Sequence, residues 1–367
     1  MTDDVLVIGG TGPTGLPLVR GLVERGARVT ILHRGLHERE EIPPSVRHVH
    51  ADPYDEDALE AAAAERTYDV VVAMYGRLRR IARAWHGRTG RFVSVGGVPA
   101  YRGWMNPFVT DHGLPVPVAE DAPLVRDPAE DEKGYRIVRT EEAVFEHDPG
   151  AIHFRYPYVY GPYQLAPREW CVVRRVLDGR RRIVVPDDGL TLHHHGYTEN
   201  LAHALLLAVE RADVGGHVLN VGDHEVLSIR QVVELVAAAL DHTFDVVSMP
   251  WDVARPARPL LMQPSPAHRV LDLTRVRQLL GYRDVVPARD AVARTARWLA
   301  EHRPEPGGTE EQVLTDPFDY DAEDRLVDAW CAARASFADV EFAVEPGYGL
   351  AYSGPGGRAR SKQEFDA

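Results

Sequence analysis

The run Gly9-Gly10-Thr11-Gly12-Pro13-Thr14-Gly15 constrains this chain more than any other stretch. It follows four apolar residues, Val5-Leu6-Val7-Ile8, and precedes a segment from Leu16 to Val23 whose leucines and valines recur at helical spacing. A short strand, a glycine-rich turn and an amphipathic helix, in that order, build a cradle for a dinucleotide pyrophosphate. Gly9 permits the tight turn, Gly12 lets the backbone approach the phosphates, and Gly15 lets helix and strand pack closely. Pro13 suits a first helical turn, where its missing N–H costs nothing, and leaves the amide of Thr14 to face the anion; Thr11 is a further expected cofactor contact. No Gly-Lys-Ser/Thr ending follows, which argues against a nucleotide-hydrolysing phosphate loop.

Beyond the turn, short apolar runs alternate with helical patterns. Strands are expected at 28–32, 46–50, 69–73, 91–95 and 152–156, with helices over 57–65 and from about Tyr135. That alternation reads as an α/β chain: a Rossmann-type doubly wound parallel sheet. Residues 101–133 are loop-like. From about residue 160 the pattern loosens, with helices near 168–178, 199–210, 229–240 and 287–302, as suits a smaller substrate lobe. The expected organisation is a dinucleotide-binding domain over 1–160, to which later segments can return, then a mostly substrate-binding lobe over 161–302. A C-terminal extension over 303–367 follows, with one helix across 319–335 and a glycine- and proline-rich end expected to be disordered.

At 367 residues, 44% hydrophobic and 26% charged, the composition is that of an ordinary globular enzyme. The net charge of −13, with no basic block, argues against a nucleic-acid or anionic-membrane partner. The start, Met1-Thr2-Asp3-Asp4, carries no basic region, and no apolar stretch approaches the roughly 20 residues of a membrane span. Cys171 and Cys331 lack metal-site spacing; reduced thiols in a cytoplasm and no metal are expected. Lys133 and Lys362 are the only lysines.

The second strand speaks to which dinucleotide. An acid gripping the adenosine 2′-hydroxyl of NAD belongs about 20 residues past the glycines. Here the strand ends in His33-Arg34, and an arginine there suits a 2′-phosphate, so NADP(H) is favoured over NAD(H). Asp52, past the third strand, is placed to meet the adenine edge.

With these elements the chain resembles the extended short-chain dehydrogenase/reductase family, the NAD-dependent epimerase/dehydratase group, over about residues 3–302. The resemblance rests on Gly9-x-x-Gly12-x-x-Gly15 and on Tyr135-x-x-x-Arg139 followed by Glu142. It rests further on the segment Arg155-Tyr156-Pro157-Tyr158-Val159-Tyr160-Gly161-Pro162, and on Asp272-Leu273-Thr274-Arg275 with Leu279-Leu280-Gly281-Tyr282. It implies a tyrosine that exchanges a proton with a substrate carbonyl or alcohol while the nicotinamide exchanges hydride. Tyr135 matches that tyrosine; Arg139 stands where the family has a lysine, Val95 where it has a hydroxyl, and Pro99 where it has a second tyrosine. The resemblance adds Ala73, Ser94, Tyr135, Arg139, Tyr156 and Val159 to the cofactor contacts.

Substrate contacts are expected from Val95, Gly96, Tyr101, Tyr158, Trp170, His193 and Tyr197. Gly96 and Gly97 replace the acid pair of the family's dehydratases. His193 replaces an arginine that clasps a nucleotide-sugar pyrophosphate, and Asn200 replaces an aspartate. Aromatic residues including Trp104, Phe108, Tyr163 and Trp251 suit a carbon-rich metabolite. The expected activity is therefore an NADP-dependent reductase or epimerase acting on a small, aromatic or carbon-rich carbonyl or alcohol. The alternatives are a catalytically altered member that keeps the dinucleotide structurally, a binding protein, or a nucleotide-sugar epimerase. A homodimer is compatible with either.

Overall fold

The computed structural model describes residues 4–36, 39–74, 76–110, 113–344, 349–350 and 360–361. The chain divides into two compact units, residues 1–317 and 318–367.

In the first unit the alternating pattern becomes β1 (Asp4–Ile8), α1 (Gly15–Glu24), β2 (Arg28–His33), β3 (Arg47–His50), α2 (Glu56–Glu65), β4 (Tyr68–Ala73), α3 (Leu78–Trp85), β5 (Thr89–Gly97), α4 (Glu132–His147) and β6 (Ile152–Tyr156). There follow β7 (Tyr158–Tyr160), α5 (Trp170–Leu177), β8 (Arg182–Pro186), β9 (His195–Tyr197), α6 (Thr198–Glu210), β10 (His217–Asn220), α7 (Ile229–Ala239) and β11 (Asp245–Met249). The unit closes with α8 (Arg258–Leu261), α9 (Thr274–Leu280), α10 (Ala288–Glu301) and α11 (Thr309–Leu314). Seven strands form a parallel sheet in the order β10-β6-β5-β4-β1-β2-β3. The chain reverses its direction of winding between β1 and β4, where a doubly wound sheet opens its ligand crevice.

Burial on both faces explains why the strands read as unbroken apolar runs. Val5, Val7, Ile31, Val70, Val72 and Phe154 pack with α1, α6 and α9 on one side. Leu6, Ile8, Leu32, Val71 and Phe92 pack with α2, α3 and α4 on the other. β10 comes from sequence well past residue 161 and returns to this sheet beside β6. The chain on either side of β10 supplies two small parallel pairs, β7 with β9 and β8 with β11, framed by α5, α7 and α10.

Residues 303–317 belong to the first unit rather than to a C-terminal extension. Polar contacts fix them to α5: Glu311 accepts from the indole N–H of Trp170 at 2.8 Å and from Arg174 at 2.6 Å, and Asp316 accepts from Arg175 at 2.7 Å. The second unit holds the expected helix as α12 (Tyr320–Phe337), capped by the Asp319 carboxylate on the Ala322 amide. It also holds a two-residue antiparallel pair, β12 (Gly349–Leu350) with β13 (Arg360–Ser361). The end expected to be disordered, 354–358, lies outside the described residues. Among the described residues no helix is long and apolar enough to cross a membrane.

Candidate active site

The glycine turn leaves β1 at the crevice. Gly9 has φ of +94°, a conformation glycine adopts without strain, and its N–H donates to the Leu32 carbonyl at 3.0 Å. A Cβ on Gly15 would lie 2.6 Å from the Gly10 backbone, so helix and turn meet only without a side chain there. Gly10 is equally constrained, since its Cβ would fall 2.8 Å from the Ile31 side chain. At Gly12 the nearest atom is 3.7 Å away, which leaves open space for a phosphate. The turn therefore fits a dinucleotide. One detail differs from expectation: Thr14 is the N-cap and α1 starts at Gly15, so Pro17, not Pro13, occupies its first turn.

The β2 end is crowded with imidazole. His33 is buried, and both ring nitrogens are engaged: Nδ1 accepts from the Gly35 N–H at 3.1 Å, and Nε2 lies 3.0 Å from Nδ1 of His48. The ring is thus held within the sheet, which corrects its expected role as a direct cofactor contact. His33, His48 and His50 converge within 4.8 Å. An Nδ1 that accepts from Gly35 leaves the hydrogen on Nε2, so His33 faces His48 as a donor, not as a metal ligand.

Arg34 is exposed, 6.0 Å above the Tyr54 ring, and Arg77 lies over the same ring at 4.4 Å. Arg39, missed in the sequence, reaches the turn itself: its Nε donates to the Thr11 carbonyl at 2.9 Å and its guanidinium stacks 3.7 Å over Tyr163. Asp52 is exposed and accepts from the Tyr54 amide within its own turn. Ala73, at the end of β4, is wholly buried.

Across the same sheet edge lies a cavity of about 810 Å³. Val95, Gly96, Gly97, Val98 and Pro99 form its floor at the end of β5, and Tyr156, Tyr158 and Val159 its side at the end of β6. His193, from the lobe, and Trp104, from the connection between β5 and α4, complete its lining. Val95, Gly96, Tyr156, Tyr158, Val159 and His193 thus line one cavity. The phenols of Tyr156 and Tyr158 are bound to the carbonyls of Leu201 and Ala166, and burial pushes both well above the ordinary tyrosine pKa. His193 is buried, and burial with the nearby Arg168 and Arg269 holds it neutral. Ser94 is not among the lining residues; its Oγ lies 2.8 Å from Nδ1 of His153, which is.

The expected catalytic pair is not among the residues lining this cavity. Helix α4 begins at Glu132, earlier than expected, because the Asp131 carboxylate caps it on the Gly134 amide at 3.0 Å. Its buried stripe is Gly134, Val138, Glu141 and Val144. A Cβ at Gly134 would sit 2.4 Å from the Pro99 carbonyl, so this stripe alone can dock against the β5 end. Glu132, Lys133, Arg136, Ile137 and Thr140 then face the cavity. At 100° per residue, Tyr135 and Arg139 fall on the other flank. Arg139 is exposed there and pairs with Glu142 at 2.6 Å, on a surface shared with Arg79, Arg80 and Arg83.

Three expected substrate residues are structural instead. Tyr101 is buried, donates to Asn220 at 2.6 Å and lies under the Arg155 guanidinium. Trp170 is held by Glu311, and Tyr197 is buried with its amide on Asp223 at 3.0 Å.

A parallel, doubly wound sheet with a glycine turn at its switch point is a Rossmann-type fold. The sheet with its added lobe is a fold that solved epimerase structures share. No family model matches the chain. A UDP-glucose 4-epimerase from Thermotoga maritima, solved with UDP-glucose, superposes with a TM-score of 0.66 at 18% identity, covering 82% of this chain and all of that one (100%). WbmH of Bordetella bronchiseptica, solved with NAD+, gives 0.65 at 18% identity over 82% of this chain and 99% of that one. In sequence, a Streptomyces protein named 3-diazoavenalumate denitrifying reductase is 28% identical over 239 residues, 60% of this chain and 76% of the relative. The Arabidopsis thaliana chloroplast stem-loop binding protein of 41 kDa b is 24% identical over 251 residues, 64% of this chain and 62% of its own length.

Proposed function

We propose that this chain is an NADP(H)-dependent reductase or epimerase-type oxidoreductase acting on a carbonyl or alcohol of a small, carbon-rich metabolite. The observation that carries the reading is the cavity: it opens along the same strand ends as the glycine turn, walled by apolar and aromatic side chains. The Streptomyces reductase and the NAD-binding structures support it. When bound, the dinucleotide supplies or accepts hydride. The chain's own part is to hold the pyrophosphate against Gly12 and the α1 N-terminus, and to exclude water with Trp104, Val98 and Ile137. A cytoplasmic setting belongs to the same reading, supported by two free cysteines.

NADPH consumption, followed spectrophotometrically with a panel of aldehydes and ketones, tests the activity. Steady oxidation above the substrate-free rate is expected with apolar carbonyl compounds. Tyr135→Phe is expected to leave turnover within about twofold, because its ring lies off the cavity. A loss of the 10²-fold or more typical of a missing general acid would restore the tyrosine mechanism and refute the placement. A second reading, in which the dinucleotide is retained structurally, is favoured by Val95 and by the outward Tyr135 and Arg139. Tight cofactor binding with no consumption of NADPH across the panel would select it.

The 2′-phosphate preference makes a separate prediction. With no acid at the end of β2 and Arg34 exposed beside it, NADPH should bind more tightly than NADH. Arg34→Ala should remove most of the difference, on the order of 1.5–3 kcal/mol for a lost charge-assisted phosphate contact. Titration calorimetry with both cofactors checks it; equal affinities in the wild-type chain would refute the preference.

A further inference from the structure

The cavity carries an unbalanced charge. Its charged lining is Glu132, Lys133 and Arg136, all from the first turn or so of α4. Arg136 pairs with Glu132 one turn back, so these two cancel. Lys133 has no side-chain ion pair or hydrogen bond among the described residues. It is one of two lysines in a chain that otherwise uses arginine for its cations.

A second cation lies behind the opposite wall. Arg269 is 1% exposed and is held only by neutral groups: the carbonyls of Trp104, Ser265 and Ala267 and the Ser265 hydroxyl, at 2.8 to 3.2 Å. No carboxylate among the described residues comes within ion-pair distance of it. Its backbone bridges to His193, and Trp104, which accepts from its Nε, lines the cavity. A guanidinium so far from water is weakly screened, and its field reaches into the cavity. The neighbouring buried cation, Arg168, is by contrast matched by Glu169 at 2.9 Å.

The remaining wall is mostly apolar, from Met74, Leu78, Val98, Met105 and Ile137, with polar points at Thr140, at His153, whose Nε2 is buried without a hydrogen-bond partner, and at the Gln263 end. There Gln263 presents an amide oxygen that is buried and has no partner on the protein. Its neighbour Met262 is held at φ of +50°, a strained conformation for a non-glycine residue. An orphaned polar atom beside a strained residue marks a wall shaped for a ligand.

Resting on the reading of this cavity as the substrate site, we propose that its ligand is an organic anion, an apolar or aromatic body carrying a carboxylate that pairs with Lys133. The body lies along the Met74, Leu78 and Ile137 wall, and the Gln263 amide meets a polar group at its side. Lys133 acts in binding and orientation; it is a specificity residue on the cavity-facing side of α4, not on the flank that the sequence motif indicated.

Matched probes test this on the full chain saturated with NADP+: a graded series of aryl carboxylates, from benzoate to phenylpropanoate and naphthalene-2-carboxylate, against the corresponding amides. Calorimetry should show carboxylates binding and amides binding more weakly. Lys133→Met should weaken the carboxylates by about tenfold or more and leave the amides unchanged, as expected for loss of one charge-assisted contact. Lys133→Arg should keep most of the affinity. Lys133 is exposed, so circular dichroism should show both variants folded as the wild type. Amides binding as tightly as carboxylates, no carboxylate binding at all, or Lys133→Met without effect on carboxylates would each overturn the proposal. The redox reading fails separately: absent NADPH consumption alongside preserved carboxylate discrimination removes that reading and leaves the anion site standing.

Discussion

Glu141→Gln should lower the stability of this protein by about 3–5 kcal/mol, the cost of leaving a buried charge without its partner. The Glu141 carboxylate, on α4, accepts two hydrogen bonds from Arg155 of β6, from Nε at 2.9 Å and Nη2 at 2.6 Å, with both side chains almost wholly buried. The third guanidinium nitrogen donates to the Glu120 carbonyl at 3.0 Å, and the Tyr101 ring lies 4.6 Å beneath. Tyr101 in turn holds Asn220 of β10, whose amide N–H donates to Glu120 at 2.9 Å. One ion pair thus joins α4, β6, β10 and the loop before α4, and sets which face of α4 looks into the cavity. Replacing both partners by apolar residues, Glu141→Leu with Arg155→Met, should recover much of the loss, because no charge is then stranded. Denaturant unfolding of the wild type, both single variants and the double variant measures this. A double variant no more stable than the worse single would show that packing, not the stranded charge, sets the cost.

The sheet was legible because its information is local. Apolar runs of four to six residues, each closed by glycine, proline or an acid-rich helix start, name their strands without reference to anything distant. The glycine turn was legible for the same reason, since its geometry depends on seven consecutive residues. Helix α4 was not. Its motif spacing suits Tyr135 and Arg139, but spacing fixes only that two residues share a flank, not which flank faces the cavity. That choice is made at long range, by the close approach of Gly134 to Pro99 and by Glu141 reaching Arg155. A signal was present: a glutamate two turns after Lys133, and an arginine opening the segment that ends in Tyr160-Gly161-Pro162, form a pair that burial would demand. The aromatic set failed for a related reason. Tyr101, Trp170 and Tyr197 have the chemistry of ligand walls, yet each phenol or indole finds a polar partner inside the protein, as buried aromatic residues with a polar tip usually do. Arg39 escaped notice because its target is a backbone carbonyl across a loop, which no spacing encodes.

The buried histidines should make stability strongly dependent on pH. His153, His193, His194 and His195 are all buried, and burial is the first cause that holds each below the ordinary histidine value, His153 and His194 down to about 4. Arg168 adds to the depression at His193 and His195, and Arg269 at His193. His194 shows the physical reason most clearly: its Nδ1 accepts from the Leu271 amide at 3.0 Å while its Nε2 faces the Asp223 carbonyl at 2.8 Å, so both nitrogens are satisfied only in the neutral ring. In the unfolded chain these groups take up protons near pH 6.5; in the folded chain His153 and His194 do so only near 4, and His193 and His195 are likewise held well below the ordinary value. The folded state therefore binds fewer protons across that window, and stability, full above pH 6.5, must fall as pH drops toward 4. Each such histidine contributes a slope of up to about 1.4 kcal/mol per pH unit. One group acts in the opposite direction. Asp223, pushed up to about 6 by burial, binds a proton more readily when folded, so its contribution grows as pH falls and offsets about one histidine. Denaturant midpoints measured from pH 7.5 to pH 4.5 should fall steeply below pH 6.5. His194→Gln should lower stability at pH 7.5 yet flatten the slope by as much as one histidine's share. A flat profile across the window, or an unchanged slope in the variant, would show that these rings reach water before the fold gives way.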